Sequence, residues 1–179
     1  HAFTITGGTI RLQDQPPSTC LGIEFTYGPT SVHLSMDPYK RKLLNDHGLS
    51  DCNAAVLPLP GGFTLSKIDQ PQNDADIQDL VTAVNAMFPD TVSTHAETIT
   101  KYKSLVMGIG WFATMLGPTL RLTVSVLGRA MHAPSIKAFK AAKQVLRHIK
   151  GTIGTGITYH KTKDWDHDEY PQLEYGSDA

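Results

Sequence analysis

The sequence predicts a mixed α/β chain of the α+β kind, with strands at the beginning, helices through the middle and strands again at the end. Three observations carry this. Residues 21–36 alternate apolar and polar side chains around a Gly-Pro turn. From Asp74 onward, apolar residues recur at three- and four-residue steps. After residue 152, short alternating runs return as "GITYHK" and "LEYGS".

The run "CLGIEFTYGPTSVHLSM" predicts two strands, Leu21 to Tyr27 and Ser31 to Met36, joined as a hairpin where Gly28 and Pro29 supply turn chemistry. Asp37 then offers an N-cap and Pro38 a first helical position, so "DPYKRKLLNDHG" predicts a helix closing at Gly48, with Tyr39, Leu43 and Leu44 on one side. "AAVLPLPGGF" is too rich in Pro and Gly to be helical, and the polar run "KIDQPQND" continues it as an extended connector, with a boundary between two lobes expected here. A helix from Asp74 places Ile77, Leu80, Val81, Val84 and Phe88 on one face, with acids in its first turn. Two more are expected, from about Thr98 to Met115 and from about Thr119 to His132. A fourth lies in "SIKAFKAAKQVLRHIKGT".

This fourth helix carries the main functional signal. Phe139, Ala142, Val145, Leu146 and Ile149 form one apolar stripe. Lys140, Lys143, Arg147 and Lys150 recur at the same steps beside it, and Gly151 is expected to be the left-handed C-cap. The basic character extends further. No Asp or Glu occurs from Thr98 to Lys163, a span holding eleven of the sixteen Lys and Arg, while Asp69, Asp74, Asp76 and Asp79 precede it and Asp164, Asp166, Asp168 and Glu169 follow. A cationic segment between acidic flanks fits a polyanion such as nucleic acid; it equally fits a solvated face neutralised by those flanks.

Length and composition set the outer bounds. With 179 residues, 40% of them hydrophobic, the chain makes one ordinary domain or two small ones. The longest apolar stretch, Leu105 to Leu116, contains Gly108 and Gly110 and falls short of the roughly 20 residues a membrane span needs, so no membrane partner is expected. The opening "HAFTITGGTIRLQ" has neither a Met nor a signal-peptide pattern, and the end stops within a strand-like run; both read as an excerpt of a longer chain. Cys20 and Cys52 are isolated, which favours a reducing, intracellular setting. Dispersed His residues offer no zinc spacing, "TGGT" lacks the Gly-Lys-Ser/Thr of a phosphate loop, and "DWDHDEY" has Glu169 where a calcium loop requires Gly.

Several stretches together resemble a known family. "YKSLVMGIGWFATMLGP", "VSVLGRAMHAP", "AAKQVLRHIKGTIGTGITY" and "YGSDA" resemble, in order and at similar spacing, the C-terminal part of the reverse transcriptase region in copia-type LTR-retrotransposon Pol polyproteins. "LGIEF", "VHLSMDPYKRKLL" and "HGLSDCNAAVLPL" are similar to the segment that follows the polymerase active site there. The resemblance implies three parts: residues 1–60 as the end of a palm with a primer-grip-like hairpin at Leu21, Gly22 and Ile23; 61–152 as thumb and connection helices; and 153–179 as the start of an incomplete ribonuclease H-like domain. It implies an RNA–DNA hybrid as partner, gripped by its backbone through Lys140, Lys143, Arg147 and Lys150, together with the rest of the Pol polyprotein. It also implies Mg2+ for the intact protein, with Asp178 as one catalytic metal ligand, and no cofactor for this stretch alone. The implied location is the cytoplasm, in virus-like particles, or the nucleus.

The sequence departs from that pattern in ways that bear on activity. Tyr-x-Asp-Asp, the polymerase signature, is absent, so this stretch alone is not expected to polymerise. Leu116, Gly117 and Thr119 surround Pro118 where the family usually has Thr-Arg-Pro-Asp. Ala138-Phe139 replaces a common His-Trp, and Met107 a usual Gly. A non-catalytic nucleic-acid-binding or interaction remnant of a degenerate element is the rival expectation.

Overall fold

The computed structural model of the chain describes residues 17–160. Three strands open it, β1 (Ser18–Cys20), β2 (Ile23–Tyr27) and β3 (Ser31–Ser35), followed by helix α1 (Asp37–Asp46). The body is built from α2 (Asp74–Met87), α3 (His95–Met115), a 3-10 turn at Pro118–Leu120, α4 (Arg121–Gly128) and α5 (Ile136–Gly151). Strand β4 (Ile157–His160) closes an antiparallel sheet of order β1-β2-β3-β4. The α+β class read from the sequence is the class observed.

Hydrophobic spacing dictates the body. α5 buries Ala138, Phe139, Ala141, Ala142, Val145, Leu146 and Ile149, and α3 buries Tyr102, Leu105, Val106, Ile109 and Phe112 against it. At their crossing, the rings of Tyr102 and Phe139 meet edge to face with centroids 5.0 Å apart, and Phe88 at the end of α2 adds a second such contact with Phe139 at 6.0 Å. Tyr102 donates its hydroxyl to the Leu127 carbonyl at 3.0 Å, and burial pushes its phenol pKa well above the usual range. α1 approaches α3 at Gly108, where an added Cβ would lie 2.7 Å from Leu43 Cδ1, and Tyr39 donates to the Gly108 carbonyl.

Several sequence expectations need correction. Met36 is the N-cap residue of α1, not Asp37, and it makes no side-chain cap bond. Asp37 is drawn away by stronger partners: its carboxylate accepts from Lys40 at 3.0 Å and from the Gly154 N–H at 2.8 Å. α3 begins at His95 rather than Thr98, because Thr94 accepts from the Glu97 N–H while the Glu97 carboxylate accepts from the Ser93 N–H. The expected helix 119–132 is a 3-10 turn followed by an α-helix of eight residues, since Pro118 tightens its first turn. Gly151 is still helical; the left-handed glycine is Gly154, with φ +85°. The hairpin expected at residues 21–36 exists, but Leu21 and Gly22 turn the chain between β1 and β2 instead of opening a strand.

Candidate nucleic-acid interface

The cationic stripe of α5 is mostly turned to an internal task. Residues 50–57 run alongside α5 without regular structure, so their carbonyls have no partner within a helix or sheet. α5 supplies the donors turn by turn. Gln144 Nε2 donates to Leu57 O at 3.1 Å, Arg147 Nε to Asn53 O at 2.9 Å and Lys150 Nζ to Ser50 O at 2.5 Å. His148 Nδ1 lies 3.1 Å from Ala55 O, and the Ala55 N–H donates back to Arg147 O. Carboxylates could not replace these side chains, because ionised acids only accept. Acids are therefore excluded from these four positions.

Lys143 serves the neighbouring helix in the same way. It donates to Met87 O at 2.8 Å at the C-terminus of α2, which has no basic residue in its own last turn, and its Nζ lies 5.7 Å from the centroid of the Phe88 ring. Lys137, in the first turn of α5 where the helix dipole disfavours a cation, is offset by Asp69 at 3.1 Å. The Asp69 carboxyl is held below its usual range, first by the Ser66 N–H and then by Lys137.

Lys140 differs from these. It is exposed and makes no hydrogen bond or ion pair among the described residues. Lys103 on α3 and Arg121 and Arg129 on α4 share that condition. Four cations of the acid-free segment therefore face solvent without a described partner.

Leu21 and Gly22 form the two-residue turn between paired Cys20 and Ile23, with φ +53° and +83°. Hairpin turns of this length demand positive φ, which Gly22 meets at no cost and Leu21 meets with strain. Leu21 projects into solvent, 65% exposed, while Ile23 packs against the core. This turn and the α5 stripe thus sit on separate elements.

Lys40 carried no weight in the sequence reading. It is fully buried, and its ammonium donates to Asp37 Oδ1, Thr152 O and Thr155 O at 3.0, 2.6 and 2.9 Å, tying the start of α1 to the turn between α5 and β4. The Asp-x-x-Lys spacing was the only local signal. A concavity of about 690 Å3 lies between α1 and the first half of α3 and is lined by Tyr39, His47, Asp90, Glu97 and Lys101 among others. Its cations are engaged: Lys101 with Asp90 at 3.3 Å, and Lys42 with Asp46.

Among the described residues no group of three or more His, Cys, Asp or Glu side chains is placed to hold a metal ion, and no helix is long and apolar enough to cross a membrane. Asp178 lies outside the described residues, as do Lys161, Lys163 and the strand expected at "LEYGS".

These features define an α+β chain with a helical body, an appended sheet and a divided set of cations. Over 141 residues, 79% of its length, the chain is 28% identical to an uncharacterized mitochondrial protein of Arabidopsis thaliana, and the match covers 48% of that protein. The chain spans about half the length of this curated relative. No protein-family profile and no solved structure matches it.

Proposed function

We propose that this chain is part of a reverse transcriptase derived from a copia-type retrotransposon, and that it holds an RNA–DNA hybrid by its backbone without carrying the polymerase motif. The supporting observation is the acid-free segment: its helices leave Lys103, Arg121, Arg129 and Lys140 exposed and without a described acidic partner. Phosphate contacts by such residues position a duplex without reading its sequence. The ordered run of resembling fragments supports the family assignment. For the whole protein, the reading includes RNA-directed DNA synthesis and ribonuclease H activity, with Mg2+ held in part by Asp178.

A second reading, a non-catalytic remnant that only binds, is favoured by Gly117 and Thr119, which stand where the family usually has an Arg and an Asp. Both readings predict binding, so binding is tested first. Fluorescence anisotropy with a labelled RNA–DNA hybrid should give an affinity that ignores base sequence and falls with salt, with a log–log slope of roughly −3 to −4 for four phosphate contacts. No binding at low salt would sink both. Sequencing the transcript in frame in both directions separates them: an upstream Tyr-x-Asp-Asp with further carboxylates beyond Ala179 marks the enzyme, and stop codons mark the remnant.

A further inference from the structure

The concavity between α1 and the first half of α3 carries a pattern of polar groups that the nucleic-acid reading does not use. His47, just past the end of α1, lines it and is only 9% exposed. Nδ1 of its ring is sealed without a partner among the described residues, whereas Nε2 is not sealed and makes no hydrogen bond among them. A neutral imidazole has one N–H and one bare nitrogen, and burial favours the neutral ring here. Sealed donors left unmet are rarer in folded chains than sealed acceptors, so the proton belongs on Nε2 and the ring offers the concavity a donor. Tyr39 offers the opposite. Its hydroxyl donates to the Gly108 carbonyl at 2.9 Å, which leaves the phenol oxygen as an acceptor.

Donor and acceptor are set apart, and the charges around them are spent. Tyr39 and His47 are separated by about 12 Å along α1, and the buried side chains of Leu43 and Val92 line the space with them. Lys42 pairs with Asp46, Lys101 pairs with Asp90 at 3.3 Å, and Glu97 accepts from the Ser93 N–H at 2.7 Å. An ion entering here would lose hydration and find no free counter-charge, a cost that an uncharged molecule avoids. The volume of about 690 Å3 falls in the range of small-molecule sites.

We propose that this concavity binds a small, elongated, uncharged molecule built on an apolar ring, with a hydrogen-bond acceptor at one end for His47 Nε2 and a donor at the other for the Tyr39 oxygen. Neutral aromatic amides and phenols belong to that class; nucleotides and other anions do not. Tyr39 and His47 lie on α1 and at its end, while Val92 and Ser104 belong to the helical body. An occupant therefore fastens α1 to that body. The proposal goes beyond hybrid binding and does not rest on it.

The test uses the full 179-residue chain and 4′-hydroxyacetanilide, a neutral ring with a carbonyl at one end and a hydroxyl at the other. Titrated into the millimolar range, it should shift the amide resonances of His47, Val92 and Ser104 saturably and raise the melting temperature. The anion 4-hydroxyphenylacetate, of similar size, should bind roughly fivefold more weakly or worse. His47→Phe keeps a ring and removes the donor, and should weaken the neutral compound by roughly fivefold or more. Should that variant misfold, Ser104→Phe, at an exposed position of α3, obstructs the concavity and should weaken binding as much. Absence of a saturable shift, equal affinity for the anion, or undiminished binding in the folded variants would each overturn the proposal. Failure of the wild type to bind hybrid would sink only the nucleic-acid reading.

Discussion

Lys143, Arg147 and Lys150 on one side, and Lys103, Arg121, Arg129 and Lys140 on the other, come from the same acid-free stretch and have opposite fates. The first group reaches inward to carbonyls that an irregular connector and a helix end leave unpaired. The second faces solvent. Lys40, buried among two carbonyls and a carboxylate, is the extreme inward case. A run of positive charge in a sequence therefore says little about the positive charge a partner would meet, until the chain's own acceptors have been counted.

The comparison breaks most visibly at Lys40. Replacing it with Met leaves Asp37 and the carbonyls of Thr152 and Thr155 short of a donor in a nearly dry site. Denaturant unfolding should show a loss of about 3–5 kcal/mol, and a loss below 1 kcal/mol would mean that water replaces the ammonium. Next in size is Arg147→Gln/Lys150→Gln, which removes two anchors of the connector. A loss of about 1–3 kcal/mol is expected, with proteolysis concentrated in residues 50–60, and an unchanged cleavage pattern would show that the connector is held by other means.

His47 sharpens the inward class through pH. Burial, followed by the charge of Lys101, holds its imidazole below the usual range, against smaller opposing effects of Asp46 and Asp90, and its buried Nδ1 has no described partner. The unfolded chain takes up a proton near pH 6.5 that the folded chain resists. Stability from this residue is thus intact above that pH and falls as pH drops through the window beneath it, by up to about 1.4 kcal/mol per pH unit. His47→Gln should flatten that part of the stability profile; an unaltered slope would assign it to other groups. The smallest effect belongs to the outward class: Lys140→Gln should change stability by less than about 0.5 kcal/mol.

Periodicity made the body legible. The apolar stripes of α2, α3 and α5 were readable because burial repeats every turn, and Thr94 with Glu97 offered a start signal for α3 that the spacing of its apolar residues alone had placed three residues late. The pairing of β4 with β3 was not legible, since residues more than a hundred apart leave no local mark of their register. The direction of each α5 cation was hidden for the same reason. Lys140 and Lys143 sit one turn apart and look alike in sequence; the Met87 carbonyl, 56 residues away, separates them.

The most direct test sets the two cation groups side by side in a salt titration of hybrid binding. Lys103→Gln/Arg121→Gln/Arg129→Gln/Lys140→Gln should weaken binding by tenfold or more and flatten the log–log salt slope by about one per lost phosphate contact, whereas Arg147→Gln/Lys150→Gln should leave both nearly unchanged. The reverse pattern, with affinity lost on removing the inward pair and kept on removing the outward four, would contradict the division on which the account rests.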